Sequence, residues 1–241
     1  DDIACIIVEP VAGNMNCIPP APGFLEGLRN ICDQYGAVLI FDEVMTGFRA
    51  NIGGAQADFN ITPDLTCLSK ILGCGFPTAA VVGKNDILST LAPVGHVMMS
   101  GTNTGRTLNV IGSLRALEQL AQPDFYKPVI EMNDYFIQKC SEMLEHHNVP
   151  AFVDGYGGRI GIFLGSTEKP TDLRSIIETW NPKYYFRCYE EIVKLKRLYG
   201  FLLPLSNCPE PVTFCSAHTY KELDETLNLF EDVLRKLPYS S

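Results

Sequence analysis

Residues 23–43 read GFLEGLRNICDQYGAVLIFDE. Phe24, Leu25, Leu28, Ile31 and Cys32 recur at the spacing of one helical face, which predicts a helix from about Gly23 to Gln34. Ala37-Val38-Leu39-Ile40-Phe41 then runs without a polar position, as a strand buried on both faces does, and ends in Asp42-Glu43. Upstream, Ile3-Ala4-Cys5-Ile6-Ile7-Val8 reads as a second fully buried strand, and Pro19-Pro20-Ala21-Pro22-Gly23 as the rigid connector between them. Strand, helix, strand over about forty residues is a βαβ unit, so the fold class is α/β with a mainly parallel sheet, right-handed crossovers and flanking helices. Catalytic groups in such sheets gather at the carboxyl ends of the strands.

Working outward, a third strand is expected at Leu65 to Ser69, ending in Lys70, and a fourth at Ala79 to Gly83. A long helix from about Thr104 to Leu120 follows a turn at Gly101. The pattern changes at Gln122-Pro123, which divides the chain into residues 1–122 and a C-terminal domain of residues 123–241. There the order is a helix through His147, strands at Ala151 to Val153 and Arg159 to Leu164, a helix from about Pro182 to Tyr199, a strand near Val212 to Cys215 and a last helix. Without strict alternation, this reads as α+β. The last helix opens on Thr219-Tyr220-Lys221-Glu222, a capping box. Because proteins seldom begin on a central strand, the run at Ile3 carries the expectation that residues precede Asp1.

Composition narrows the partners. The 241 residues carry a formal charge of -9, with no cluster of Lys and Arg to offset it, which disfavours nucleic acid and anionic membrane surfaces. Nine cysteines are scattered with no C-x-x-C pair, a pattern of reduced thiols in a cytoplasm-like compartment and not of a disulfide framework or zinc site. No apolar stretch approaches the length of a membrane span.

Two residues draw attention together. Asp42 and Lys70 each close an apolar strand, where an isolated charge is costly unless it meets a partner or a task. Singly, each has a structural explanation: an ion pair for the acid, a snorkelling surface residue for the lysine. At the ends of neighbouring strands they can face one cleft, the carboxylate holding a protonated ring nitrogen and the amine condensing with an aldehyde. Burial would lower the lysine's pKa and free its amine. The glycines in Gly73-Cys74-Gly75 remove side chains where a ligand or backbone comes close. This is what a pyridoxal enzyme requires. Val38 to Glu43 also resembles the magnesium-binding strand of P-loop ATPases, yet the only Gly-Lys pair, Gly83-Lys84, lacks the rest of G-x-x-x-x-G-K-[ST]. His146-His147 reads as solvated, His218 as structural, and Tyr184, Tyr185, Phe186 and Tyr189 as packing.

Val8-Glu9-Pro10-Val11-Ala12-Gly13-Asn14, Phe41 to Arg49, Thr62-Pro63-Asp64-Leu65 and Leu68-Ser69-Lys70 together resemble the class III (fold type I) aminotransferases. Within that class the chain is most similar to the glutamate-1-semialdehyde 2,1-aminomutase family. The resemblance implies pyridoxal 5'-phosphate as cofactor, residues 1–122 as the later part of the cofactor-binding large domain and residues 123–241 as the small domain. Residue by residue, Lys70 matches the Schiff-base lysine, Asp42 the acid on the pyridine nitrogen, and Val44 the residue packed on the ring. Asn14 matches a residue near the phenolic oxygen. Gly101-Thr102 matches a pair that reaches the partner subunit's cofactor phosphate in a homodimer, and Glu210 matches an acid over the substrate. The family's phosphate-binding helix start, ring-stacking aromatic and substrate-carboxylate arginine lie upstream of Asp1, where a plastid address would also lie.

Departures from the aminomutase pattern sit at the rim of the site. Met98-Met99, Asn103-Thr104-Gly105-Arg106-Thr107 and Asn207-Cys208-Pro209-Glu210-Pro211 replace the usual residues. The expected substrate is a small amino acid or amino aldehyde. Three readings stay open: an aminomutase moving an amino group within glutamate semialdehyde toward 5-aminolevulinate, an aminotransferase acting between an amine and a keto acid, and a non-catalytic fragment.

Overall fold

The computed structural model describes residues 2–194 and 210–239. Strand β1 (Cys5–Val8), helix α1 (Phe24–Tyr35) and strand β2 (Val38–Asp42) form the expected βαβ unit, with β1 and β2 parallel from Cys5 opposite Val38 to Val8 opposite Phe41. A short helix α2 (Gly54–Asp58) precedes β3 (Leu65–Leu68), which pairs parallel with β2 from Ile40 opposite Leu65 to Asp42 opposite Cys67. Strand β4 (Ala80–Gly83) runs antiparallel to β3, so the sheet is mixed. The physical reason is the connection. It holds only the 3-10 turn Lys70–Gly73, whereas a parallel return takes a crossover of a dozen or more residues, usually a helix. Helices α3 (Asn85–Leu88) and α4 (Thr107–Leu120) follow.

The chain forms two compact units, Asp1–Pro10 with Pro20–Phe125 and Val11–Pro19 with Tyr126–Ser241. In the first, Leu25 and Cys32 of α1 close with Leu39 and Phe41 of β2 over Ile6, Val8 and Leu28. Two expectations change here. Phe24 and Ile31, placed on the packed face by their spacing, are 47% and 48% exposed, so the buried stripe is the narrower set Leu25, Leu28, Cys32. The run Ile3 to Val8 is not fully buried. Among the described residues β1 pairs with β2, and by alternation Ile6 and Val8 pack while Ile7 is 61% exposed.

The second unit contains α5 (Lys127–His146), β5 (Ala151–Tyr156), β6 (Arg159–Leu164), α6 (Leu173–Thr179), α7 (Pro182–Lys194), β7 (Val212–Thr213) and α8 (Tyr220–Lys236). The three strands make an antiparallel sheet in sequence order. Strands β5 and β6 extend to Tyr156 opposite Arg159 because Gly157 and Gly158, at φ 55° and 81°, close a two-residue hairpin that needs positive φ at both positions. Every residue of β6 is buried, under a core that includes Phe136 of α5, Tyr185 of α7 and Phe230 of α8. The Tyr185 hydroxyl accepts from Leu164 N–H at 2.9 Å and donates to the Ile162 carbonyl at 2.8 Å, pinning α7 to β6. Tyr184 is buried too, whereas Phe186 is exposed. Positions 195–199 of the helix expected from Pro182 to Tyr199 lie outside the described residues, as do Asn207, Cys208 and Pro209.

Candidate active site

The sheet delivers Asp42 and Lys70 to the carboxyl ends of adjacent strands, as the sequence predicted. Asp42 is half-buried as the last residue of β2. Its Oδ1 accepts the Val44 N–H at 3.1 Å, a turn that holds the carboxylate and fixes Val44 beside it. Among the described residues the other oxygen takes no hydrogen bond, so an acceptor stands ready at the strand end. The charge is felt next door: burial first, then Asp42, push the Cys67 thiol up from its ordinary pKa.

Lys70 opens the 3-10 turn directly after β3, with φ at 44°. A non-glycine residue in the left-handed region costs on the order of 1 kcal/mol and persists only where its surroundings impose it. Here the surroundings are specific. The Ser69 hydroxyl donates to the Thr78 carbonyl at 2.9 Å, Leu72 N–H to the Ser69 carbonyl at 2.9 Å, and Cys74 N–H to the Lys70 carbonyl at 3.2 Å. The Lys70 side chain makes no hydrogen bond or ion pair among the described residues. One expectation fails: the side chain is exposed, so this chain does not itself supply the burial that would free its amine.

The sequence reading did not separate the two acids of Asp42-Glu43. Glu43 is fully buried and belongs to the scaffold. Its carboxylate accepts Ala55 N–H at 2.6 Å, Gln56 N–H at 3.1 Å, the Gln56 amide at 2.9 Å and the Thr46 hydroxyl at 3.0 Å, tying the start of α2 to the end of β2. Gly54, at φ 70°, makes room, because a Cβ would sit 2.5 Å from Glu43 Oε2. The missed signal is that Gly53-Gly54 pair. Asp64 is the second anchor. Buried before β3, it accepts Leu39 N–H at 2.7 Å, Arg29 at 3.0 Å and Lys84 at 2.5 Å, so it clasps α1, β2 and β4 together. Burial raises its pKa, but the hydrogen bonds from Lys84, Leu39 and Arg29 outweigh that and hold it below the usual carboxylate range.

The remaining candidates fall elsewhere. Gly101 and Thr102 are exposed in the turns before α4, where Gly101–Gly105, Pro77–Val81, Met99, Asn109 and Val110 line a cleft of about 530 Å³ that neither Asp42 nor Lys70 lines. Asn14 and Glu210 belong to the second unit. Asn14 is exposed on the 3-10 turn Gly13–Met15, inside a loop closed by paired backbone bonds between Ala12 and Ile18. Glu210 stands 3.8 Å from Arg159, whose guanidinium also donates to the Gly13 carbonyl at 3.2 Å. Arg159 was not singled out in the sequence because one arginine opening a strand carries no pattern. His147, read as solvated, instead pairs with Glu231 at 3.0 Å and links α5 to α8.

Residues 1–230 match the family model described as Aminotransferase class-III. The chain belongs to the class III aminotransferases. Solved structures of this group superpose closely. An omega-transaminase from Sphaerobacter thermophilus is 25% identical with a TM-score of 0.83, covering 96% of this chain and 51% of that one. A glutamate-1-semialdehyde-aminomutase from Pseudomonas aeruginosa PAO1 is 22% identical with a TM-score of 0.82 over 98% and 52%. A beta-phenylalanine aminotransferase from Variovorax paradoxus is 22% identical with a TM-score of 0.82 over 98% and 53%. The chain thus spans about half the length of the class III structures it matches, and its α/β architecture is theirs. Among the described residues no helix is long and apolar enough to cross a membrane.

Proposed function

We propose that this protein is a pyridoxal-phosphate-dependent enzyme of amino-group transfer, with glutamate-1-semialdehyde aminomutase chemistry as its leading activity. The observation that carries the reading is the pairing of Asp42 and Lys70 at the carboxyl ends of β2 and β3 in a class III chain. The residues fit the cofactor's chemistry: an acid with one oxygen uncommitted for a ring N–H, and an amine without an ion partner for an aldehyde. When bound, pyridoxal phosphate supplies a pyridinium electron sink for a carbanion at the substrate carbon. Asp42 keeps the proton on the ring nitrogen, with its orientation set by Val44 N–H. Lys70 would hold the cofactor through its Nζ, and the same amine would carry a proton to and from the substrate carbon. By the family resemblance, Val44 and Asn14 would help hold the cofactor. Glu210 would face a small amino aldehyde or amino acid substrate. In a homodimer, Gly101 and Thr102 serve the partner's phosphate.

The second reading, transamination between an amine and a keto acid, is favoured by the 25% identity to the Sphaerobacter omega-transaminase. Pyridoxal phosphate added to the full-length protein is expected to turn it yellow, and borohydride reduction is expected to fix the label on the peptide containing Lys70. The Lys70→Ala variant is expected to take no label and to lose turnover by orders of magnitude. A colourless wild type with Lys70 unmodified overturns the catalytic reading. Turnover of glutamate semialdehyde without an added amino acceptor supports the aminomutase, and turnover only with the acceptor assigns a transaminase.

A further inference from the structure

Arg159 is 8% exposed and has no part in the chemistry above. It opens β6 directly after the Gly157-Gly158 turn, a rigid base: Phe214 N–H donates to the Gly158 carbonyl at 2.9 Å, and Gly158 N–H donates to the Asn133 amide oxygen at 3.2 Å. From there the guanidinium reaches two segments distant in sequence. One nitrogen, Nη2, makes both approaches: it donates to the Gly13 carbonyl at 3.2 Å, one residue before Asn14, and lies 3.8 Å from the Glu210 carboxylate.

The loop carrying Asn14 is tied to the same strand at further points. The Asn16 side-chain amide donates to the Ile162 carbonyl at 3.0 Å, and Gly161 lies so close that a Cβ would stand 1.9 Å from the Asn16 carbonyl oxygen. The loop therefore rides on β6, although its neighbours in sequence on either side belong to the other unit. A separation of 3.8 Å exceeds the 2.7–2.9 Å of a charge-assisted hydrogen bond, so Arg159 attracts the Glu210 carboxylate without closing a hydrogen bond to it.

We propose that Arg159 is a positioning residue that holds Asn14 and Glu210 in one fixed relation, so that the group beside the cofactor and the acid over the substrate are set by a single buried guanidinium. This rests on the reading of Asn14 and Glu210 given above. It also names the loss a substitution causes: removing the guanidinium releases both residues at once, while each of them can be removed singly.

The test uses the full-length protein with Arg159→Met, Arg159→Lys, Asn14→Ala and Glu210→Gln. In cofactor-free protein, Arg159→Met is expected to speed hydrogen exchange across residues 11–19. In cofactor-loaded protein, its visible absorption maximum is expected to move in the same direction as in Asn14→Ala, with partial return in Arg159→Lys. The value of kcat/KM is expected to fall about tenfold or more, and the loss in the double variant with Glu210→Gln to be smaller than the two single losses multiplied, as for residues that act as a unit. Should Arg159→Met fail to fold, Arg159→Lys, which keeps the charge and loses the planar guanidinium, carries the same comparisons. A folded variant with wild-type spectrum, or fully multiplicative losses, overturns the inference. A wild type that carries no cofactor at Lys70 overturns the parent reading and this inference with it.

Discussion

At the residue scale, the acids of the first unit differ in how far the scaffold commits them. Asp42 is half-buried and hydrogen-bonded once, whereas Glu43 and Asp64 are buried and each accept several donors. Both Asp42 and Glu43 were legible as strand-end acids, but only the position of α2 shows which of them is committed. The same holds for Lys70: its place after β3 follows from the sequence, and its left-handed φ does not, because that conformation is imposed by bonds from Ser69 and Cys74. Asp64 supplies a pH prediction. Its folded-state pKa is depressed, so the unfolded chain takes up the proton first on acidification. The stability it contributes is present above the ordinary carboxylate range and is lost as pH falls toward the depressed value. Urea denaturation of Asp64→Asn is expected to show a loss of about 2 kcal/mol at neutral pH and a flatter dependence of stability on pH through the acid range. An unchanged pH profile would remove Asp64 from that role.

At the element scale, turn chemistry decided what hydrophobic pattern could not. The strand ending at Tyr156 rather than Val153 is the work of Gly157-Gly158, and the antiparallel β4 is the work of a connector with one 3-10 turn. The helix α6 was not anticipated. Its capping box pairs Asp172 with Ser175, the Asp172 carboxylate accepting Ser175 N–H at 2.8 Å, and serine is not the acid or amide at the third position that marks such a box in sequence. The box at Thr219 and Glu222 was legible because it has that acid, and Glu222 accepts Thr219 N–H at 2.7 Å. Packing between β6 and the 11–19 loop gives a prediction of its own. Gly161→Ala is expected to destabilise the protein by about 1–3 kcal/mol, since backbone must move to admit the methyl. Proteolysis or hydrogen exchange should locate the loosening at residues 11–19, and a change confined to other segments would contradict the close approach.

At the scale of the whole molecule, apolar surface on the first unit points to association. Leu108, Ile111 and Leu114 recur along α4 and are 65%, 51% and 54% exposed, while Met98 and Met99 before it are 81% and 60% exposed. An apolar stripe of this kind is ordinarily covered. Sedimentation velocity is expected to show the chain above monomer size at micromolar concentration, and Leu108→Glu with Leu114→Glu to shift it toward monomer. A monomeric wild type would remove the dimer reading. The sequence by itself determined the βαβ unit, the two strand-end residues Asp42 and Lys70, the helices α5, α7 and α8 of the second half and membership of the class, because hydrophobic period and linked motifs are local. Only the tertiary structure decided that β4 turns back, that Glu43 is scaffold, that Ile6 and not Ile7 packs, and that the loop with Asn14 belongs to β6. Those outcomes depend on which distant backbone atoms meet, as when Arg159 reaches Gly13, and no spacing along the chain encodes such a meeting.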